Sequence, residues 1–115
     1  MRRLSGQGTL ITICWRDIPA QVTARNGRTK VSVQLSARFQ TAIDRAATRA
    51  GRSAADEYLS DWRRTESPCG SDLSGEADRA ADELERRFSP EVLNTYIANG
   101  GFNPHDRSGE GRDHA

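Results

Sequence analysis

Apolar and polar residues alternate along the stretch from Thr9 to Leu35, which predicts β-strands. Asn26-Gly27 divides this stretch, and an Asn-Gly pair between alternating runs predicts a hairpin whose turn requires positive φ at both positions. Folding the chain at this turn sets Val22 opposite Val31. Because directly opposed residues share a face, one apolar face is expected to hold Ile18, Ala20, Val22, Val31, Val33 and Leu35. The opposite, polar face is expected to hold Gln21, Thr23, Lys30, Ser32 and Gln34.

The first strand, Thr9–Trp15, is almost continuously apolar. Pairing with Ile18–Arg25 would add Ile11, Ile13 and Trp15 to the apolar face. Pro19 donates no ladder hydrogen bond, so a loop or bulge is expected over Arg16–Pro19, with regular pairing from about Ala20. The alternative order, with the first and third strands adjacent, stays open. The pattern predicts a three-stranded antiparallel meander.

Helical periodicity follows the predicted sheet. Good N-cap residues and apolar positions three and four apart predict four helices, over Ser36–Ala50, Ser53–Arg64, Gly75–Phe88 and Ser89–Asn99. Their apolar stripes would cover the apolar face of the sheet. The predicted fold class is α+β, with element order β-β-β-α-α-α-α and a small three-stranded antiparallel sheet covered on one face by helices.

Composition along the chain predicts five segments. Residues 1–8 are expected to be a flexible N-terminus, and residues 9–64 the core of strands and two helices. The stretch TESPCGSD, residues 65–72, has the composition of a linker. Residues 73–102 are expected to hold the C-terminal helices. Residues 103–115 carry many charges and no large apolar side chain, which predicts a disordered tail.

Length and composition indicate one small domain with a thin core, since 35% of the 115 residues are apolar and 29% are charged. The first residues lack the apolar segment of a secretory signal, and no apolar run approaches the ~20 residues of a membrane helix. We therefore expect a cytoplasmic protein without membrane contact. Cys14 and Cys69 have no metal or redox spacing and are expected to be reduced thiols.

Charge is divided unevenly although the net charge is only +1. Residues 1–64 hold 12 basic and 5 acidic residues, whereas residues 65–115 hold 5 basic and 11 acidic ones. One interpretation is that the acidic half docks on the basic half. The other is that a basic surface is offered to an acidic protein or another polyanion.

Residues for catalysis are sparse. His105 and His114 both lie in the predicted tail, where a general base could not be positioned. The sequence has no cluster of His and Cys at metal-ligand spacing and no Gly-rich phosphate loop. We therefore predict that the protein is not an enzyme, and we assign no catalytic residue, metal or cofactor.

Three stretches resemble a known family: LITICWRDIPAQV at Leu10–Val22, FQTAIDRAATRAG at Phe39–Gly51 and DEYLSDWRR at Asp56–Arg64. They are similar to small bacterial virulence factor domain proteins, whose domain also occurs within conserved virulence factor C of staphylococci. Cys14 stands where an aromatic residue is expected, which argues against a required thiol. Stand-alone members tend to be encoded near folate- or corrinoid-dependent methyl-transfer enzymes. The resemblance therefore implies a binding or accessory module that helps such an enzyme.

A second hypothesis is a ribbon–helix–helix-like DNA-binding regulator. Its strand would be Lys30–Leu35, whose polar residues could read base edges in the major groove. The objection is that a ribbon–helix–helix strand pairs with its copy in a dimer, whereas the hairpin supplies an intramolecular partner.

The expected partner is an unidentified protein, with nucleic acid as the second choice; the oligomeric state is left open. The candidate partner-binding residues are Arg25, Arg28 and Lys30 near the hairpin tip, with Arg16 and Asp17 in the first loop.

Overall fold

The computed structural model describes residues 7–105 of the chain. Four strands form one antiparallel sheet in the order β3-β2-β1-β4, and four helices accompany it. The fold is therefore α+β, as predicted. The elements are β1 (Gly8–Trp15), β2 (Ile18–Asn26), β3 (Thr29–Gln34), α1 (Ala37–Arg49), α2 (Ala55–Ser60), β4 (Trp62–Cys69), α3 (Leu73–Arg87) and α4 (Pro90–Ala98).

The sheet has four strands, and the prediction of three was wrong. The additional strand β4 pairs with β1 and takes up most of the expected linker 65–72. It also replaces the end of the expected second helix, because α2 already ends at Ser60. Residues 63–68 are all exposed, so β4 lacks the apolar alternation that marks a half-buried strand. A polar edge strand of this kind leaves no periodic signal in the sequence.

The hairpin between β2 and β3 forms at the predicted place, but its register differs. Val22 pairs with Val33 and not with Val31, so the turn residues are Gly27 and Arg28. Gly27 has φ +61°, whereas Asn26 does not have the positive φ that was expected. A type II′ turn explains this, because it needs glycine with positive φ only at its first central position. The shift of two residues keeps every side chain on its predicted face.

The pairing of β1 with β2 is interrupted next to Pro19, where the sequence predicts an irregularity. Ile13 pairs with Gln21 and Cys14 pairs with Pro19, which leaves Ala20 as an extra residue in β2. This bulge changes which residues face the core. Below it, Leu10 and Thr12 lie opposite Ala24 and Val22, so Ile11 and Ile13 are on the other face, contrary to the prediction. Trp15 lies opposite Ile18, and both side chains are fully buried, as predicted for Trp15.

The main core lies between the sheet and the helices. The strands contribute Val22, Ala24, Leu35 and, at the bulged end, Trp15 and Ile18. Helix α1 contributes an apolar stripe of Phe39, Ala42, Ile43, Ala46 and Ala47. The C-terminal helices add Leu73, Ala77, Ala81, Phe88, Leu93 and Tyr96. Alanines make up much of the helical side of this core, which lets the helices approach closely with few large side chains.

The two edge strands present different backbone groups to solvent. Leu35 N donates to Ala20 O at 3.0 Å, so the alternate residues of β3 direct their amides away from β2. Those residues are Lys30, Ser32 and Gln34. Arg16 N donates to Asp61 O at 3.0 Å, so the outward residues of β4 include Pro68. Pro68 has no N–H, and an outward position on an edge strand is where proline is tolerated.

The ends of the described chain correct two predicted boundaries. Gly8, expected in the flexible N-terminus, already belongs to β1, and residues 1–6 lie outside the described residues. Asn103 N donates to Asp17 Oδ2 at 2.7 Å, so the first part of the predicted tail is attached to the domain. Residues 106–115 of that tail lie outside the described residues. Within residues 7–105, no helix is long and apolar enough to cross a membrane.

Candidate binding surface

The five sequence-predicted site residues lie at the two opposite ends of β2. Arg25, Arg28 and Lys30 surround the β2–β3 turn, and we call them the basic tip. Arg16 and Asp17 form the β1–β2 turn, before the first residue of β2. The strand separates the two groups, so they do not form one site.

The basic tip concentrates three positive charges at one end of the β2–β3 hairpin. Arg25 and Lys30 are directly opposite each other in the β2–β3 ladder, and Arg28 is in the turn beside them. All three side chains are exposed. None of them takes part in an ion pair among the residues that the structure describes. Like charges that face each other across a ladder destabilise the sheet. The positive charge of the tip therefore does not serve the stability of the fold.

The tip borders the sheet face that points away from the main core, which we call the open face. The ladder places Thr23, Ser32 and Ile11 side by side on it, with Gln21, Gln34 and Ile13 in the next row. Thr23 Oγ1 and Ser32 Oγ are 2.7 Å apart, and Gln21 Nε2 donates to Thr23 Oγ1 at 3.4 Å. Ile11 is buried but is not part of the main core. The open face thus combines hydrogen-bonded polar residues, of which Thr23 is buried, with two isoleucines, and the basic tip lies at its corner.

Arg16 has a different role from the basic tip. Its backbone has φ +52°, and its guanidinium lies over the rings of Trp15 and Phe102, 5.0 Å and 4.5 Å from their centroids. Nη1 donates to Gly100 O at 2.9 Å, and Nη2 is 3.3 Å from Asp61 Oδ2. Its Nε is buried and has no hydrogen-bond partner within residues 7–105. These contacts join the first turn to the segment after α4.

Asp17 completes this attachment from the other side of the turn. Its carboxylate pairs with the Arg63 guanidinium and accepts a hydrogen bond from Asn103 N at 2.7 Å. Its own backbone amide donates to Gly101 O at 2.8 Å. Because both carboxylate oxygens are occupied, Asp17 fastens the C-terminal segment and β4 to the turn. These contacts give Arg16 and Asp17 a structural role in the domain.

Asp61 is a residue that the sequence analysis did not single out. It lies just before β4. Its Oδ2 accepts a hydrogen bond from Arg52 Nε at 2.9 Å and also forms the ion pair with Arg16. Partial burial alone would raise the pKa of the Asp61 carboxyl, but the hydrogen bond from Arg52 and the charge of Arg16 outweigh it and lower the pKa. Residues 52 and 61 are far from residue 16 in the chain, so no local pattern indicates this cluster.

The two thiols are poor nucleophiles. Burial raises the pKa of the Cys14 thiol to about 11, although the charge of Arg63 opposes this shift. Burial also raises the pKa of Cys69, and the nearby Glu76 adds to that effect. Both side chains are therefore protonated thiols at neutral pH. No group of three or more His, Cys, Asp or Glu residues that could hold a metal ion occurs among residues 7–105.

A shallow groove of about 250 Å³ lies between α1 and α4. It is lined by Arg38, Thr41, Ala42, Arg45, Pro90, Leu93, Asn94 and Ile97. The Arg38 guanidinium is occupied, because it donates to the carbonyls of Glu85 and Phe88 and pairs with the Glu85 carboxylate. Arg38 therefore joins α1 to the end of α3.

Comparison with known proteins assigns the chain to a family. Residues 13–97 match the family model described as virulence factor. Neither a curated protein nor a solved structure gives a significant match. The matched region runs from the middle of β1 to the end of α4, so it includes β4 and the C-terminal helices, which the resemblance in the sequence covers less completely. Because the match spans well over half of the 115 residues, the chain belongs to the virulence factor family.

Proposed function

We propose that this protein is a non-enzymatic, cytoplasmic accessory module that binds an acidic surface of a protein partner through Arg25, Arg28 and Lys30. The observation that carries this proposal is the directly opposed pair of Arg25 and Lys30. Both cations are exposed, and neither has an ion-pair partner within the part of the chain that the structure describes.

The basic tip has the physical properties of a steering and docking site. Complementary charges at an interface raise the association rate and suppress wrong partners. Arginine also offers a planar set of donors that fits carboxylates bidentately. The turn residue Arg28 extends the positive surface beyond the end of the sheet, where a partner can reach it without displacing a helix. A folate- or corrinoid-dependent methyl-transfer enzyme is the class of partner that the family resemblance suggests.

DNA binding is the second candidate function. The observation that favours it is that Lys30, Ser32 and Gln34 are exposed on one face, beside Arg25. A strand with this pattern can lie in a major groove and hydrogen-bond to base edges. In that case Lys30→Ala and Gln34→Ala would abolish the binding of a duplex at low salt.

Affinity purification from the native cell tests the first candidate. The wild-type chain and the variant Arg25→Glu/Arg28→Glu serve as baits, and mass spectrometry identifies the proteins that co-elute. The matched control is Arg45→Glu/Arg86→Glu, which reverses two exposed arginines on helices α1 and α3. We expect the tip variant to lose a partner that the wild type and the control retain.

Salt provides a second measurement on the purified pair. Exposed charges are screened over about 10 Å at 0.1 M salt, so binding through the tip should weaken steeply as the salt concentration rises. Equal capture by all three baits would show that the tip only keeps the sheet soluble. Retention of a labelled duplex by the wild type, lost on Lys30→Ala/Gln34→Ala, would favour the DNA-binding candidate.

A further inference from the structure

The backbone groups along the free edge of β3 are a second feature of the sheet, which binding through the side chains of the basic tip does not use. Strand β3 is last in the sheet and pairs with β2 on one side only. On its other side, the amides and carbonyls of Lys30, Ser32 and Gln34 point outward. Within residues 7–105 they have no backbone partner outside the sheet ladders. Unpaired edges of this kind are templates for pairing with another strand.

The two edges of the sheet are not equivalent. On β4, the outward position of Pro68 offers no N–H, and Arg64 and Glu66 pair with each other at 2.8 Å. Prolines and charges on an edge are common protections against strand addition. On β3 the only charged residue is Lys30, and no proline interrupts the strand. Strand addition is therefore blocked on β4 and permitted on β3.

Apolar surface at the same edge is incompletely covered. Val31 and Val33 face the helices, yet both remain half-buried, whereas Val22 and Ala24 opposite them are fully buried. A strand added at this edge would cover the outer sides of both valines. Burial of such apolar area stabilises an association by roughly 25 cal/mol for each Å² removed from water.

We propose that a second copy of this chain occupies the edge, with β3 pairing antiparallel to β3 of the copy about a two-fold axis at Ser32. This inference rests on the backbone edge of β3 and not on the charge of the basic tip, although Lys30 belongs to both. With that axis, Ser32 is opposite Ser32 of the copy, and Lys30 is opposite Gln34. All three outward residues then sit in hydrogen-bonded pairs, and Val31 meets Val33 of the copy on the helix side. No like charges are opposed, so the edge is complementary to itself.

Charge variants at Gln34 test this pairing. In the chain alone, Gln34 is opposite Gln21, so its substitution introduces no charged pair within the sheet. In the proposed dimer, Gln34→Glu creates two Glu–Lys30 pairs and Gln34→Lys creates two opposed lysine pairs. From typical cross-strand energies we expect dissociation of the dimer to change about 2- to 30-fold, tighter for Gln34→Glu and weaker for Gln34→Lys.

Matched controls separate pairing from a general effect of charge. Gln21→Glu and Gln21→Lys place the same charges on the same face of the sheet, but on β2, which does not contact the copy. These two variants should leave the dissociation constant of the dimer unchanged. The double variant Lys30→Glu/Gln34→Lys restores opposite charges and should dimerise as well as wild type or better. Sedimentation equilibrium of the full chain over a range of concentrations measures all of these constants.

Hydrogen exchange gives a readout at individual residues. We expect the amides of Lys30, Ser32 and Gln34 to exchange slowly only at chain concentrations where the dimer forms. The amides of Val31 and Val33, bonded to β2, should be protected at every concentration. A chain that stays monomeric up to submillimolar concentration would overturn the proposal. A dimer that is insensitive to both Gln34 variants and leaves the three amides unprotected would also overturn it, because it would use another surface.

Discussion

Gly101 lies against the indole ring of Trp15, so close that a Cβ atom at position 101 would be 2.8 Å from Trp15 Cζ3. Gly101 also has φ +96°, a backbone conformation that other residues rarely adopt. Trp15 is fully buried, and its Nε1 donates to Tyr58 O at 2.9 Å. The segment after α4 therefore closes the core at the bulged end of the sheet.

Substitution of Gly101 measures this contact. We expect Gly101→Ala to lower the free energy of unfolding by about 1–3 kcal/mol, because it adds backbone strain and a clash with a fully buried ring. Gly100→Ala is the matched control: it has a similar φ, +69°, but its Cβ would meet only atoms at 3.5 Å. Urea denaturation gives the free energy of unfolding of both variants, and the difference between them is the part of the loss that is due to the clash with Trp15. Equal losses would show that the indole yields and that only backbone strain matters.

Substitutions at Gly27 and at the preceding residue, Asn26, test the assignment of the hairpin turn. Gly27 has φ +61° and open space around it, so Gly27→Val should cost ~1–2 kcal/mol from backbone strain alone. Asn26→Ala should have little effect on thermal stability, because Asn26 does not have positive φ. A large loss for Asn26→Ala in addition to the loss for Gly27→Val would favour the type I′ turn centred on Asn26-Gly27, which needs positive φ at both positions.

The basic tip should lower the stability of the domain. In the ladder, Arg25→Glu would replace a repulsive pair with an attractive pair to Lys30, so we expect the free energy of unfolding to rise by about 0.2–1 kcal/mol. The double variant Arg25→Glu/Lys30→Glu restores repulsion and should lose this gain. Chemical denaturation at low salt gives the values. Unchanged stability in Arg25→Glu would mean that the two side chains do not interact.

Asp61 predicts an acid-dependent loss of stability. Its pKa is lowered in the folded state, so its stabilising effect is present above the pKa of the unfolded chain and is lost as the pH falls through the folded pKa. We expect Asp61→Asn to be less stable than wild type at pH 7 and the two proteins to converge in acid. Thermal melts from pH 7 to pH 2 measure this. Parallel curves would show that Arg52 and Arg16 do not act on this carboxylate.

The sequence predicts those parts of the fold that depend on local pattern. The hairpin, the sharing of a face by Val22, Val31 and Val33, and the apolar stripe of α1 all follow from periodicity. The register differs by two residues, because an Asn-Gly pair fits either of two turns. Strand β4 was not predicted, since an exposed edge strand buries too little to show alternation.

In the candidate site, too, only the part that depends on local sequence pattern could be predicted. The basic tip lies where the sequence places it, because Arg25, Arg28 and Lys30 flank a turn that a local signal predicts. Arg16 and Asp17 are in the expected turn, but their contacts with Gly100 and Asn103 depend on how α4 returns to the sheet. Contacts between residues more than 80 positions apart have no signature in a single sequence.

Pro68 limits the number of chains that can join one sheet. When β3 edges join two chains, both of their free edges have been used, and what remains at each end of the combined sheet is a β4 strand whose outward proline lacks an N–H. A third chain would find no uninterrupted template on either side. Association through β3 is therefore a closed, two-fold event, whereas a sheet with two permissive edges could extend into a fibre.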